Sequence, residues 1–321
     1  MSTPRKHHYL PQFYLEGFKI LPQKGKKPHI WQIEKGGEQR HYSPAIEDTG
    51  CIRDYHSLDH NEQESDHKTI ESLLSNIEGK QADLVHCITD SKKIDSSQIG
   101  ELAEFISLLR YRVPAFASHV ETSHRKIVLD TFKIMYQAGT LGTPPEALRK
   151  MFETKGIDDT LNIKISNWKI VQQMLEVGLS SESIDLLSQL NYRIYYTEKS
   201  DAFVTSDNPV ALYHPNYDEI KPYGVGLAIK GVEVTLPLSS NILIAAGFHF
   251  EPGVYLANHA QVNEFNRRTI TMSENYVFSN EISDELKNQI EQHQNVFAGF
   301  TFDNLYHGDG SVHISRFIPV Q

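Results

Sequence analysis

The sequence predicts an α+β fold, because strand-like segments lie at both ends of the chain and helical periodicity fills the middle. From about Asn191 the chain is rich in β-branched and aromatic residues broken by turn signals. Before that point, apolar residues recur with a 3.6-residue period. These patterns predict a helix-rich part, 61–190, and a strand-rich part, 191–321 together with 28–43, forming one interwoven domain over 1–321. In that arrangement two long packed helices, one kinked at a proline, lie against a mixed or antiparallel sheet. The N-terminal hairpin and the C-terminal strands build the sheet.

Each element has its own signal. Pro11 starts a short helix in Pro-Gln-Phe-Tyr-Leu-Glu-Gly-Phe, since a missing N–H costs nothing in the first turn, and Gly17 suits its end. Tyr9, Phe13, Tyr14 and Phe18 make this segment apolar enough to dock on the domain. Gly36–Gly37 turns a hairpin within His29–Tyr42. Ile70, Leu73, Leu74, Ile77, Leu84, Val85 and Ile88 form one helical stripe. Leu102, Phe105, Ile106, Leu109, Val113 and Phe116 form another, opened by Asp95 with Gln98 as a capping box and kinked at Pro114. Thr143 with Glu146 opens a third helix by the same logic, and further helices cover 165–177 and 183–190.

Strands are expected at 192–197, 202–205, 232–238 and 242–248, with turns at Glu198–Ser200, Asp207–Pro209 and Ser239–Asn241. Helices at 256–272 and 283–294 precede a last strand near 312–320.

Composition narrows the class. The chain has 321 residues, and 39% hydrophobic with 10% aromatic content supports a proper core rather than disorder. No apolar run reaches the roughly 18–20 residues of a membrane span, and the start has no apolar leader pattern. A soluble, cytoplasmic protein with no membrane partner is therefore expected. Cys51 and Cys87 fit neither a disulfide framework nor zinc spacing and read as buried small hydrophobes. A net charge of −10 argues against broad nonspecific nucleic-acid binding. A local basic groove stays open through Arg5–Lys6 and through Lys24, Lys26 and Lys27, which also read as solvated turns. No phosphate-cradling, dinucleotide, helix-borne zinc-protease or nucleophile-elbow motif is present.

The residues that carry chemistry fall in a few places. His7 and His8 are adjacent, so both reach one metal or phosphate only where the chain bends; otherwise one packs and the other is solvated. Ser206-Asp207-Asn208-Pro209 follows a strand directly, which suits Asp207 as metal ligand or general base and Asn208 as substrate orienter. The same residues also make good turn chemistry unaided.

Glu78 and Arg112 each lie at the border of an apolar helix stripe, where an arginine can recognise carboxylate or phosphate or simply bridge two helices. Gln81 falls mid-stripe and needs a buried partner. Asp54, His56, Asp59, His60, Glu62, Glu64 and Asp66 are rich in metal-ligand types without metal-motif spacing. His119 and His124 diverge by about 140° on a helix and make a poor chelate. Asn263 and Asn266 share a helix face, with either a ligand or a neighbouring loop as partner.

Four stretches, HHYLPQFYLEGF over His7–Phe18, EFISLLRYRVP over Glu104–Pro114, FVTSDNPV over Phe203–Val210, and Leu236–Asn280, resemble in their order a bacterial family known as domain of unknown function 4238. His7–Phe18 reads HHYLPQFYLEGF, matching the family's opening H-H-Y-x-P-x-F-x-L-x-x-F at every anchor. Glu104–Pro114, Phe203–Val210 with its S-D-N-P-V, and Leu236–Asn280 with its L-P-L-S and Y-V-F-S-N are similar to later parts of the pattern, in the same order. The resemblance implies one domain and marks positions; it implies no mechanism.

Imidazoles, carboxylates and an arginine thus converge in the family-like segments. They point to a hydrolase acting on phosphodiesters, with nucleic acid or a nucleotide as partner and a divalent metal as cofactor. His7, His8 and Asp207 would hold the metal or act as base, Glu78 would complete the carboxylates, Arg112 would offset phosphate charge, and Asn208 would orient substrate. The alternative is a non-catalytic ligand- or partner-binding sensor module in which the polar cluster is structural.

Overall fold

The computed structural model describes residues 5–20, 27–61, 64–66, 68–198, 201–220, 224–307 and 310–321, with backbone only for 59–61, 64–66, 304–307 and 310–311. Lys24, Lys26, Glu62, the end of the turn expected at Glu198–Ser200, and the side chains of Asp59, His60, Glu64 and Asp66 lie outside the described residues.

The described chain is α+β. β1 (Lys6–His8) is followed by α1 (Gln12–Leu15) and a 3₁₀ turn over Glu16–Phe18. β2 (Trp31–Glu34) and β3 (His41–Tyr42) form the expected hairpin, with Gly36 and Gly37 both at positive φ. β4 (Cys51–Arg53) pairs antiparallel with β1 and sets His7 opposite Ile52 and His8 opposite Cys51. β5 (Leu58–Asn61) and β6 (Glu64–Asp66) make a small hairpin that leads into α2 (Thr69–Ser91).

Pro114 does not kink one long helix; it separates two. α3 (Ile99–Tyr111) ends at Arg112, Val113 is extended at φ −86° and ψ 155°, and α4 (Pro114–Gln137) begins with the proline at its first turn. The proline ring excludes helical backbone at the residue before it and is itself preorganised to start a helix, so a break costs less than a kink. The Asp95–Gln98 capping box forms ahead of α3.

α5 (Glu146–Lys155), α6 (Ile157–Thr160), α7 (Asn167–Gly178) and α8 (Ser181–Ser188) complete the helical middle. α5 starts without the expected side-chain cap, because Pro145 rather than Thr143 occupies the capping position. Cys87 is exposed and Cys51 only half-buried, against the expectation of burial. Position 87 falls off the α2 stripe, whose buried members include Leu84, Val85 and Ile88.

The strand-rich part divides into two main sheets where one was expected. β7 (Asn191–Tyr196), β8 (Thr205–Ser206) and β9 (Ala211–Tyr213) precede the short α9 (Tyr217–Ile220). β10 (Glu233–Ser239), β11 (Ile242–Gly247) and β12 (Gly253–Leu256) follow, then α10 (His259–Met272), β13 (Tyr276–Ser279), α11 (Asp284–His293), β14 (Gly299–His307) and β15 (Gly310–Ile318). A mixed five-stranded sheet has the order β12-β7-β11-β10-β9, with only the β12–β7 pair parallel. The N-terminal hairpin joins late strands in a four-stranded sheet of order β3-β2-β13-β8. β14 and β15 form a separate long hairpin.

A continuous apolar cluster runs from Tyr9 and Leu10 through α2, α3 and the five-stranded sheet to Val320. The opening segment docks as its aromatics predict, with Tyr14, Leu15 and Phe18 fully buried. Gly17 has a reason beyond ending a helix: an added Cβ would lie 2.4 Å from the Leu238 carbonyl oxygen. Among the described residues no helix is long and apolar enough to cross a membrane.

Candidate functional site

Strand alternation decides what the adjacent histidines can do. His7 points inward and is fully buried, whereas His8 points to the other face and is half-buried. After them the chain bends, because the Tyr9 and Leu10 amides both donate to the Gly50 carbonyl, at 2.9 and 3.2 Å.

His7 lies in a cluster with His56 and Glu71, whose ligand atoms all fall within 4.8 Å of one another. The His56 backbone N–H donates to His7 Nδ1 at 2.8 Å, and the two imidazoles stack with centroids 5.7 Å apart. His56 Nδ1 lies 2.6 Å from Glu71 Oε1, and His7 Nδ1 lies 4.0 Å from the same oxygen. Burial pushes the His56 imidazole down to about 4, so it is neutral at pH 7 and donates Nδ1–H to the carboxylate. Burial pushes the Glu71 carboxyl up, but the hydrogen bond from His56, with the nearby imidazoles and the Arg112 charge, outweighs it and holds it below the ordinary range. His56 Nε2 is buried and has no hydrogen-bond partner among the described residues.

A cleft of about 410 Å³ adjoins this cluster, lined by His8, Gln12, Phe13, Glu71, Ser75 and Glu78 among others. Glu71 therefore joins the buried histidines to an open surface. Burial lowers the His8 imidazole, partly offset by its contact with the Glu47 carbonyl at 3.3 Å. Glu78 is held by Arg112, whose Nη1 approaches Oε1 at 2.8 Å off the N–H axis, so charge rather than a directed hydrogen bond joins them. Arg112 Nη2 donates to the His8 carbonyl at 2.7 Å, and the Tyr55 hydroxyl donates to the Arg112 carbonyl at 3.1 Å. The break between α3 and α4 frees that carbonyl and points the guanidinium toward α2 and β1.

Of the residues singled out from sequence, His7, His8, Glu78 and Arg112 come together; Asp207 and Asn208 do not join them. Asp207 Oδ1 accepts the Glu274 amide at 2.9 Å, and its Oδ2 accepts the Asn275 and Tyr276 amides at 2.7 and 3.1 Å. The carboxylate thus caps the turn before β13 rather than facing the imidazoles. Burial lifts it to about 6 against the opposing pull of those amides. Asn208 donates from Nδ2 to the Met272 carbonyl at 3.1 Å, at the end of α10.

The chain start does reach this strand, through the hydrogen bond of 2.6 Å between the Tyr14 and Thr205 hydroxyls, but Tyr14 and not a histidine makes the contact. The grouping expected as His7, His8 and Asp207 does not form; among the described residues the donor side chains that do gather close enough to share one ion are His7, His56 and Glu71. His56 belonged to a ligand-rich stretch with no motif spacing, and Glu71 sits in the first turn of α2, 15 residues on. The hydrogen-bonded turn Asp54–Ser57 and the β5–β6 hairpin lie between them and set their approach.

Asn266 resolves toward a loop. It accepts the Val204 amide at 3.0 Å and donates to the Ala202 carbonyl at 2.9 Å. Gln81 is buried, and its Nε2 has no hydrogen-bond partner among the described residues.

These features define an α+β protein with a buried two-histidine, one-carboxylate cluster opening through Glu71 onto a polar cleft. The chain belongs to the family described as Protein of unknown function (DUF4238), whose pattern matches residues 6–283 and so spans the cluster, the helix break and the Asp207 turn. No curated protein and no solved structure matches it.

Proposed function

We propose that the protein is a metal-dependent hydrolase acting on a phosphodiester in nucleic acid or a nucleotide, working at the cleft of His8, Glu71 and Glu78. The observation that carries this reading is the convergence of His7, His56 and Glu71 donors within 4.8 Å at the edge of that cleft. Two imidazoles and a carboxylate are a donor set suited to divalent transition metals. The residues fit such an ion in type, with His56 neutral, Glu71 ionised and His56 Nε2 without a hydrogen-bond partner among the described residues, and binding would displace the present bonds of His56 N–H to His7 Nδ1 and of His56 Nδ1–H to Glu71.

The bound ion would supply Lewis-acid polarisation of the phosphoryl group. Burial keeps His8 neutral at pH 7, so it can accept a proton from water at the cleft wall. Arg112 offsets the charge of Glu78. Two carboxylates line the cleft of a chain with net charge −10, so a phosphodiester would be repelled without a cation. Activity must therefore depend strictly on metal.

The test is a screen of RNA, DNA and cyclic dinucleotides with Mg²⁺, Mn²⁺ and Zn²⁺, with His56→Ala and His8→Ala as controls. Turnover that needs a metal and is lost in both variants supports the reading. A folded wild type that is inert with every metal removes it.

A second reading, a non-catalytic ligand- or partner-binding sensor module, is favoured by one observation. Arg112 ties β1 to α2 through the His8 carbonyl and Glu78, as a structural brace would. Under it, equilibrium dialysis finds no bound metal and His8→Ala leaves the protein's properties unchanged.

A further inference from the structure

A second cavity, of about 370 Å³, lies between α4 and the β14–β15 hairpin and shares no lining residue with the His8 cleft. Phenylalanine rings wall it: Phe300 meets Phe116 and Phe317 edge-on, with centroids 5.4 and 5.0 Å away. Arg110 lies in the same wall with 5% of its surface exposed. Its guanidinium carbon is 4.3 Å from the Phe317 centroid and 5.3 Å from that of Phe300.

Stacking of this kind engages the face of a guanidinium, while its N–H donors point outward in the plane. Arg110 Nε and Nη1 are buried and have no hydrogen-bond partner among the described residues. Other polar groups of the wall are turned to the protein itself. Lys126 donates to the Phe302 carbonyl at 3.1 Å, His119 Nε2 lies 3.0 Å from the Ser315 hydroxyl, and Asn208 is engaged with Met272. Glu274 also lines the cavity, but its residue is exposed and forms no ion pair with Arg110 among the described residues. A desolvated cation with spare donors is costly unless something in the cavity accepts from it.

We infer that this cavity binds a small organic oxyanion, a carboxylate or a phosphate monoester, carried on a flat aromatic body. The oxyanion accepts from the free Arg110 donors, as guanidinium groups do with both anion types. The aromatic body lies among Phe116, Phe300, Phe302 and Phe317, where it excludes water from the charged contact. The volume is in the range of small-ligand pockets.

The test is calorimetric titration of the whole chain with two arms. One uses the aryl carboxylates phenylacetate and indole-3-acetate; the other uses AMP and UMP. Acetate and inorganic phosphate serve as bare-anion controls. One arm is expected to bind saturably with Kd of about 1 mM or tighter. Arg110→Gln should weaken it roughly tenfold or more. Ser118→Trp places a large ring at an exposed position of the cavity lining while leaving Arg110 itself unchanged, and should abolish binding even if Arg110→Gln does not fold. The preferred arm names the anion. The inference is overturned if no aromatic anion binds folded wild type, if the bare anions bind as tightly, or if Ser118→Trp or folded Arg110→Gln binds like wild type.

Discussion

Arg112 donates to the main-chain carbonyl of His8 at 2.7 Å, joining residues 104 positions apart. This bond ties the break between α3 and α4 to the strand that carries both histidines. The same guanidinium holds Glu78 of α2, so one residue sets the relative position of three segments around the cleft.

Arg112 is 1% exposed, and its removal would leave the His8 carbonyl and Glu78 without their cation. Arg112→Ala should destabilise the fold by about 3 kcal/mol, the scale of a broken buried pair. Arg112→Lys should recover less than half, because an ammonium lacks the planar fork that serves both partners. Urea unfolding midpoints with unchanged slopes would measure both.

Metal binding should separate the residues of the cluster from those expected from sequence alone. Saturating Mn²⁺ or Zn²⁺, at about 100 times Kd, should stabilise the wild type by about 2.7 kcal/mol. Glu71→Gln and His56→Ala should lose that increment, and Asp207→Ala should keep it. Equal increments in all four proteins would show that these side chains do not bind the ion.

Asp207 accepts three amides and should matter for stability instead. Asp207→Ala leaves those donors unpaired and should cost about 2–3 kcal/mol in thermal or urea unfolding.

The pH dependence of Asp207 has a definite sign. Its folded value of about 6 lies above its ordinary 3.8, so the folded state holds a proton that the unfolded state releases. Its contribution is fully present below about pH 4 and declines as pH rises toward 6. Wild type should therefore lose on the order of 2 kcal/mol relative to Asp207→Asn between pH 4 and pH 7. Unfolding free energies that stay parallel across that range would contradict the assignment.

Gly17 makes a close backbone approach to β10, and its carbonyl accepts the Ser240 amide at 2.9 Å. Gly17→Ala should destabilise by about 1–3 kcal/mol through overpacking against main chain that cannot move aside. Calorimetric unfolding of the variant measures it.

The α+β class was legible in the sequence, as were the Gly36–Gly37 hairpin, the stripes of α2 and α3, the Asp95–Gln98 box and the burial of Tyr14 and Phe18. All rest on local rules of period, cap and turn, which a short window contains. His7, His8, Glu78 and Arg112 were also visible as candidates, because charged or polar types at the margins of apolar patterns stand out.

What only the tertiary structure decided is which of them meet. His56 and Glu71 carry no spacing signal, since the turn and hairpin between them set their approach; Asp207 was credited to the cluster because its type suited it, and it binds three amides instead. The division into two sheets and the β14–β15 hairpin behind the Arg110 cavity likewise depend on pairings between distant segments. Local sequence specifies the conformation of an element and its buried face, whereas contacts across a hundred residues are settled by packing of the whole chain, where burial and hydrogen-bond satisfaction are decided together.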